Sequence, residues 1–156
     1  MIGLDHATLS DLFRQAGESP RRRSHLLMHK DHSDPVQRLV IALKDGSYVR
    51  PHLHSEQWEM LVLLQGRLDV LFFAAGGRLT ERFALTSDGR SVIQIPPGQI
   101  HSAAAMQDDT AVMEVKPGPY RSNEFVDWAP PEAAPEAPSF LEWAVRAEPG
   151  ALWTPR

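Results

Sequence analysis

"PHLHSEQWE", residues 51–59, sets two imidazoles one residue apart, His52 and His54, and a carboxylate, Glu59, five positions after the second. In an extended strand, residues i and i+2 project from one face. His52 and His54 are therefore expected to point together into one cavity. Glu59 has the other parity and joins them only if the chain turns in between. "SEQW" supplies that turn and "EMLVLL" a second, neighbouring strand. Two strands then offer N, N and O donors to one point, which is a metal site in want of a fourth ligand.

Composition narrows what such a site can be. A chain of 156 residues with 42% apolar content is enough for one domain with a real core. Sixteen basic and 20 acidic residues give a formal charge of −4, which argues against nucleic acid or an anionic membrane surface as the main partner. The run Arg21–Arg23 reads first as a solvated or salt-bridged segment and second as an anion-binding patch. With no cysteine, disulfides, thiolate catalysis and sulfur-rich metal sites are excluded. Any metal must take nitrogen and oxygen donors. No stretch resembles a signal peptide, and no apolar run reaches the about 20 residues needed to span a bilayer. A soluble, cytoplasmic protein is expected.

Outward from the central stretch, the chain divides into three. Residues 4–16, "LDHATLSDLFRQA", predict a short helix, with Thr8 or Ser10 capping a turn and Gly17 stopping it. Residues 20–35 are polar and hold His25, His29 and His32. "DPVQRLVIAL" is strand or helix. From Tyr48 onward come short strand-like pieces, separated by Gly46, Gly66, "AGG" and "SDG". Seven or eight such strands imply a sandwich or barrel. The last forty residues are proline-rich, yet Phe125, Trp128, Phe140, Trp143 and Trp153 are spread through them. That density of aromatics predicts a tail packed on the domain or on a partner subunit, and "PSFLEWAVRA" suits one amphipathic helix.

These residues resemble a known family. Gly46, His52, His54, Glu59 and Gly66 match the first cupin motif in their spacing, and Pro96, Gly98 and His101 match the Pro-x-Gly-x-x-His part of the second. Gly89 lies one residue further from Pro96 than is common, and Ala105 stands where the family often has Asn. "DPVQRLVIAL", "SYVRPHLHSEQWEMLVLLQGRL" and "EVKPGPY" look like the WbuC-type cupin fold metalloproteins, from about Arg21 to Trp128. The resemblance implies an all-β fold, the double-stranded β-helix or jelly-roll barrel, usually dimeric. Residues 1–35 would form an N-terminal helix and arm, 36–120 the barrel and 121–156 a C-terminal extension. It also implies one divalent metal ion per chain, held by His52, His54, Glu59 and His101. Nickel, iron, manganese and zinc all accept three imidazoles and one carboxylate. WbuC-type relatives occur in surface-polysaccharide loci, so a sugar or nucleotide-sugar intermediate is the expected ligand class.

Strand parity extends the site. Tyr48 and Arg50 share the face of the two histidines if the strand is regular. They are the candidate catalytic residues: Arg50 to clamp a carboxylate or phosphate, Tyr48 to donate a proton, although a packed ring with one satisfied hydroxyl explains Tyr48 more simply. Glu56 or a water are the other candidate bases. Ala103 and Ala105, on the parity of His101, leave room for a pocket. Gly98 is expected at positive φ, with Pro96 and Pro97 stiffening its loop. Glu114 and Lys116 alternate with Met113 and Val115 and are expected on a solvated face rather than lining the cavity. His25 and His29 would share a side if helical, bordering the pocket in preference to forming a second metal site. Tyr120 is a candidate lid residue. Two functions follow: a metal-dependent isomerase, lyase or hydrolase (less readily a dioxygenase) acting on a small polar or anionic metabolite, or a binding module whose metal only stabilises it.

Overall fold

Short apolar–polar alternations need a second layer against which to bury one face, and the chain supplies two sheets that do this for each other. The computed structural model describes residues 2–154. In chain order the elements are α1 (His6–Glu18), β1 (Arg23–Leu27), β2 (Val36–Leu43), β3 (His52–Leu53), β4 (Glu59–Gln65), β5 (Leu68–Phe73), β6 (Leu79–Leu85), β7 (Val92–Ile95), β8 (Ile100–Ala105), β9 (Thr110–Pro117), β10 (Glu124–Phe125) and α2 (Ala137–Arg146). One sheet runs β1-β2-β9-β4-β7 and the other β10-β3-β8-β5-β6, with every pairing antiparallel. This is a jelly roll of two five-stranded sheets.

Three apolar clusters hold the layers. Between the sheets lie Leu43, Leu61, Leu63, Val70, Phe72, Ile95 and Val112. On the outer face of the first sheet, Leu12, Phe13 and Ala16 of α1 bury Val40, Ala42 and Ala111. On the outer face of the second, the tail lays Val126, Ala129, Phe140 and Ala144 over Leu71, Phe73 and Tyr48. Strand β5 is buried along its whole length because both of its faces are covered. Its one charge, Asp69, pairs with Arg82 at 2.8 Å. Arg82 also donates to the Ala144 and Ala147 carbonyls at the end of α2, whose last-turn acceptors would otherwise lack partners.

Several boundaries differ from those expected. Asp5, not Thr8 or Ser10, caps α1 by accepting from the Thr8 N–H, and the helix runs through Gly17 to Glu18. "DPVQRLVIAL" is a strand. The polar stretch before it contributes β1, which pairs with β2 along its length and extends the barrel wall ahead of residue 36. Its charged residues masked an alternation in which Ser24 and Leu26 face α1 while Arg23 and His25 face the cavity. Among the described residues, no helix is long and apolar enough to cross a membrane.

Candidate metal centre

β3 and β8 set the first two ligands. In their antiparallel register His52 lies directly opposite His101, so the two imidazoles leave one face of the sheet side by side, with ring centroids 4.4 Å apart. His54 follows two residues after His52. Glu59 opens β4, which belongs to the other sheet, so the carboxylate comes from across the barrel and not from a neighbouring strand as the turn at "SEQW" suggested. Gly98, at φ +76° as its place in the turn required, donates its N–H to the His54 carbonyl (2.8 Å). The loop carrying the second motif is thereby tied to the first.

The four side chains are each at most 6% exposed, and one ligand atom from each lies within 4.8 Å of every other. Their orientation is fixed from behind. His52 Nδ1 contacts the Arg50 carbonyl and His101 Nδ1 the Gln99 carbonyl, both at 2.9 Å. A carbonyl only accepts, so each Nδ1 carries the proton and each Nε2 is left with a lone pair. His101 Nε2 then stands 2.8 Å from Glu59 Oε2 and His54 Nε2 3.6 Å from it. Two lone-pair donors each about 2.1 Å from one ion at a right angle would be about 3 Å apart. His54 Nε2 is buried with no hydrogen-bond partner. Facing lone pairs and an unpartnered imidazole nitrogen are costly without a cation between them. The donor set thus fits a divalent ion.

The electrostatics agree with a neutral His52 imidazole and an ionised Glu59 carboxylate. Burial, reinforced by His101, pushes His52 down to about 3. Burial alone would raise Glu59, but the facing His101 and His54 imidazoles, with the charge of Lys116, outweigh it and hold the carboxyl well below its usual range. These are the protonation states that ligands need.

A cavity of about 160 Å³ opens onto His52, Glu59 and His101. Its walls include Arg21, Arg23, His25, Glu114 and Lys116. Glu114 and Lys116, expected on a solvated face, are 9% and 6% exposed and pair at 2.7 Å inside the barrel. Alternation alone could not choose between the two faces of β9; its register with β4, which sets Glu114 opposite Leu61, does. Burial, and then the charge of Glu59, raises the Glu114 carboxyl to about 8 against the opposing pull of Lys116.

Tyr48 and Arg50 are not among the residues of this cavity. The strand that would have carried their parity is only two residues long, and Val49, not Tyr48, lines the cavity with His52. Pro51 falls where the alternation breaks. Tyr48 packs against Phe140 and donates its hydroxyl to the Pro130 carbonyl (2.9 Å). Arg50 donates to the Val126 carbonyl (2.6 Å) and lies over the Phe125 ring. Arg50 contributes to the site through its main chain, as the acceptor behind His52. Ala103 lines the cavity as expected, and Ala105 packs in the core. Glu56 is at the surface, paired with Arg121. Arg21 and Arg23 share the carboxylate of Glu132 from the tail.

Other proteins share this architecture. KdgF from Halomonas sp. superposes with a TM-score of 0.52 at 18% identity, over 66% of this chain and 84% of that one. Oxalate oxidase in complex with the substrate analogue glycolate gives 0.54 at 19% identity, over 83% and 68%. The capsular polysaccharide assembling protein CapF from Staphylococcus aureus gives 0.54 at 17% identity, over 66% of this chain but 32% of that one. No curated protein matches in sequence. The sequence model described as "Domain of unknown function (DUF6016)" matches residues 4–85, from α1 through β6 and including His52, His54 and Glu59. With more than half of its length so matched, the chain belongs to the DUF6016 family, and it carries that family's sequence on a cupin jelly roll.

Proposed function

We propose that the protein is a metal-dependent enzyme acting on a small polar or anionic metabolite such as a sugar or nucleotide-sugar intermediate. The observation that carries this reading is the convergence of His52, His54, Glu59 and His101 at the end of an open cavity, with His54 Nε2 lacking any protein partner. A divalent ion (nickel, iron, manganese or zinc) held by these four would supply Lewis-acid polarisation of a substrate oxygen or an activated water. The chain's own residues do the rest. Arg21 and Arg23 face one shared carboxylate, Glu132, so the cavity mouth keeps an excess of positive charge for an anionic group. Glu114 and Lys116, on the wall beside Glu59, are the acid–base pair within the cavity and replace Tyr48 and Arg50 as the groups placed to hold or move a proton.

The WbuC-like sequence stretches support a role in surface-polysaccharide metabolism. We take the working form to be a cytoplasmic homodimer, with neither nucleic acid nor membrane as partner, in keeping with the net charge of −4. The alternative, a binding module stabilised by its metal, is favoured by the depth at which all four ligands are buried. Proton NMR of hydroxy acids and sugar phosphates incubated with protein loaded with each candidate metal separates the two. Conversion that stops on chelation and in His101→Ala supports the enzyme. Metal-dependent binding without conversion, for every metal, supports the module.

A further inference from the structure

The metal cavity does not end at Lys116. A second compartment of about 180 Å³ adjoins it, and His25, Ile41, Glu114 and Lys116 line both. Its far wall is built from three things. Tyr120 stacks on His32 with centroids 4.5 Å apart and planes 25° apart, and its N–H donates to the His32 carbonyl (2.7 Å), so the ring is held as a platform at the rim. Leu27 and Leu39 supply an apolar side. Gln37, 1% exposed, turns its Nε2 to the Asp34 carbonyl (2.9 Å) and near those of Asp31 and His32, which fixes the amide orientation. Its Oε1 is thereby a buried acceptor with no protein partner. His29, also lining the compartment, sets its Nδ1 against both the Arg38 N–H (3.0 Å) and the Arg38 carbonyl (2.9 Å), which holds the ring in place by that nitrogen.

None of this machinery serves the metal. An aromatic platform, an aliphatic wall, an unpartnered amide oxygen and an imidazole together match a ring with C–H faces and a hydroxylated rim. The two compartments are alike in size, about 160 and about 180 Å³, so a ligand that fills both has two parts of similar bulk.

We propose that the two compartments together take a two-ring acidic sugar, one ring at the metal and beside Lys116, the second against Tyr120 with a hydroxyl on Gln37 Oε1. The inference rests on the metal-site reading above and extends it from a small polar metabolite to an acidic disaccharide.

The test uses metal-loaded protein, glucuronate, and glucuronosyl-β-1,4-glucose, with affinities from titration calorimetry and metal content measured on the same samples. The disaccharide is expected to bind at least tenfold more tightly than the monosaccharide. Tyr120→Ala, a substitution at a half-exposed ring, and Leu39→Trp, which fills the second compartment, should each bring that ratio toward one while metal content and glucuronate affinity stay unchanged. Equal affinities in the wild type, a ratio kept in both variants, or failure of both sugars to bind metal-loaded protein would overturn the proposal while leaving the metal site standing. A protein that takes up no metal would overturn the site and the proposal with it.

Discussion

Two regions on either side of β3 and β8 are both packed and differently finished. Outside, the tail closes an aromatic cluster of Tyr48, Phe73, Trp128, Phe140 and Trp143. The Tyr48 hydroxyl has its partner, and Asp69 has Arg82. Trp128 Nε1 is buried without a partner, but it stands alone among rings and offers a donor no cation can use. Inside, four ligand atoms converge, one of them unpartnered, beside the buried contact between Glu114 and Lys116. The outer region is built as a protein interior normally is, with charges paired and rings packed. The inner one leaves electron pairs facing each other, which is how a site differs from a core.

That contrast can be broken from either side. The largest effect belongs to the outer region: Phe140→Ala should cost about 3–5 kcal/mol, since it empties the centre of the cluster, while metal per folded chain is unchanged. Denaturant unfolding and elemental analysis of the same samples check both halves, and loss of metal would show that the regions are not separate. Next is removal of the ion. For metal at 100 times its dissociation constant, chelation should remove about 2.7 kcal/mol, a fall in Tm of about 5–10 °C. In His54→Ala the chelator should leave Tm unmoved. Tyr48→Phe is smaller, about 1 kcal/mol for the lost bond to Pro130, again with metal retained. A Tyr48→Phe protein depleted of metal would return Tyr48 to the site.

The smallest effect is at the seam between the regions, where Glu132 of the tail meets Arg21 and Arg23 at the cavity mouth. Burial would raise the Glu132 carboxyl, but hydrogen bonds from Arg21 and Arg23 outweigh it and hold it below its ordinary 4.5. A carboxyl depressed in the fold stabilises above its unfolded pKa and loses that contribution as pH falls through the folded one. Thermal scans should therefore show Glu132→Gln losing less Tm than the wild type below pH 4.5. Parallel acid limbs would mean the pair contributes nothing.

The inner region was the more legible in the sequence. A histidine pair at i, i+2, a carboxylate past a turn and a histidine behind Pro-x-Gly form a pattern dense enough to specify ligands and fold together. What failed to read was whatever depends on a second strand. Parity along a regular strand sets Tyr48 and Arg50 beside His52, but Pro51 cuts that strand short. Alternation in β9 does not say which of its faces is inward; only its register with β4 puts Glu114 and Lys116 inside. The strand Arg23–Leu27 was hidden because its inward residues, Arg23 and His25, are polar ones that serve the cavity. Polar residues on an inward face break the apolar signal where function needs them.

The central claim is that His52, His54, Glu59 and His101 hold one divalent ion. Elemental mass spectrometry on untagged protein purified without chelator, beside Glu59→Gln, tests it most directly. One equivalent of a single metal is expected in the wild type and a large loss in the variant, with both proteins folded. No metal in the wild type, before or after reconstitution, or full occupancy in Glu59→Gln, would contradict it.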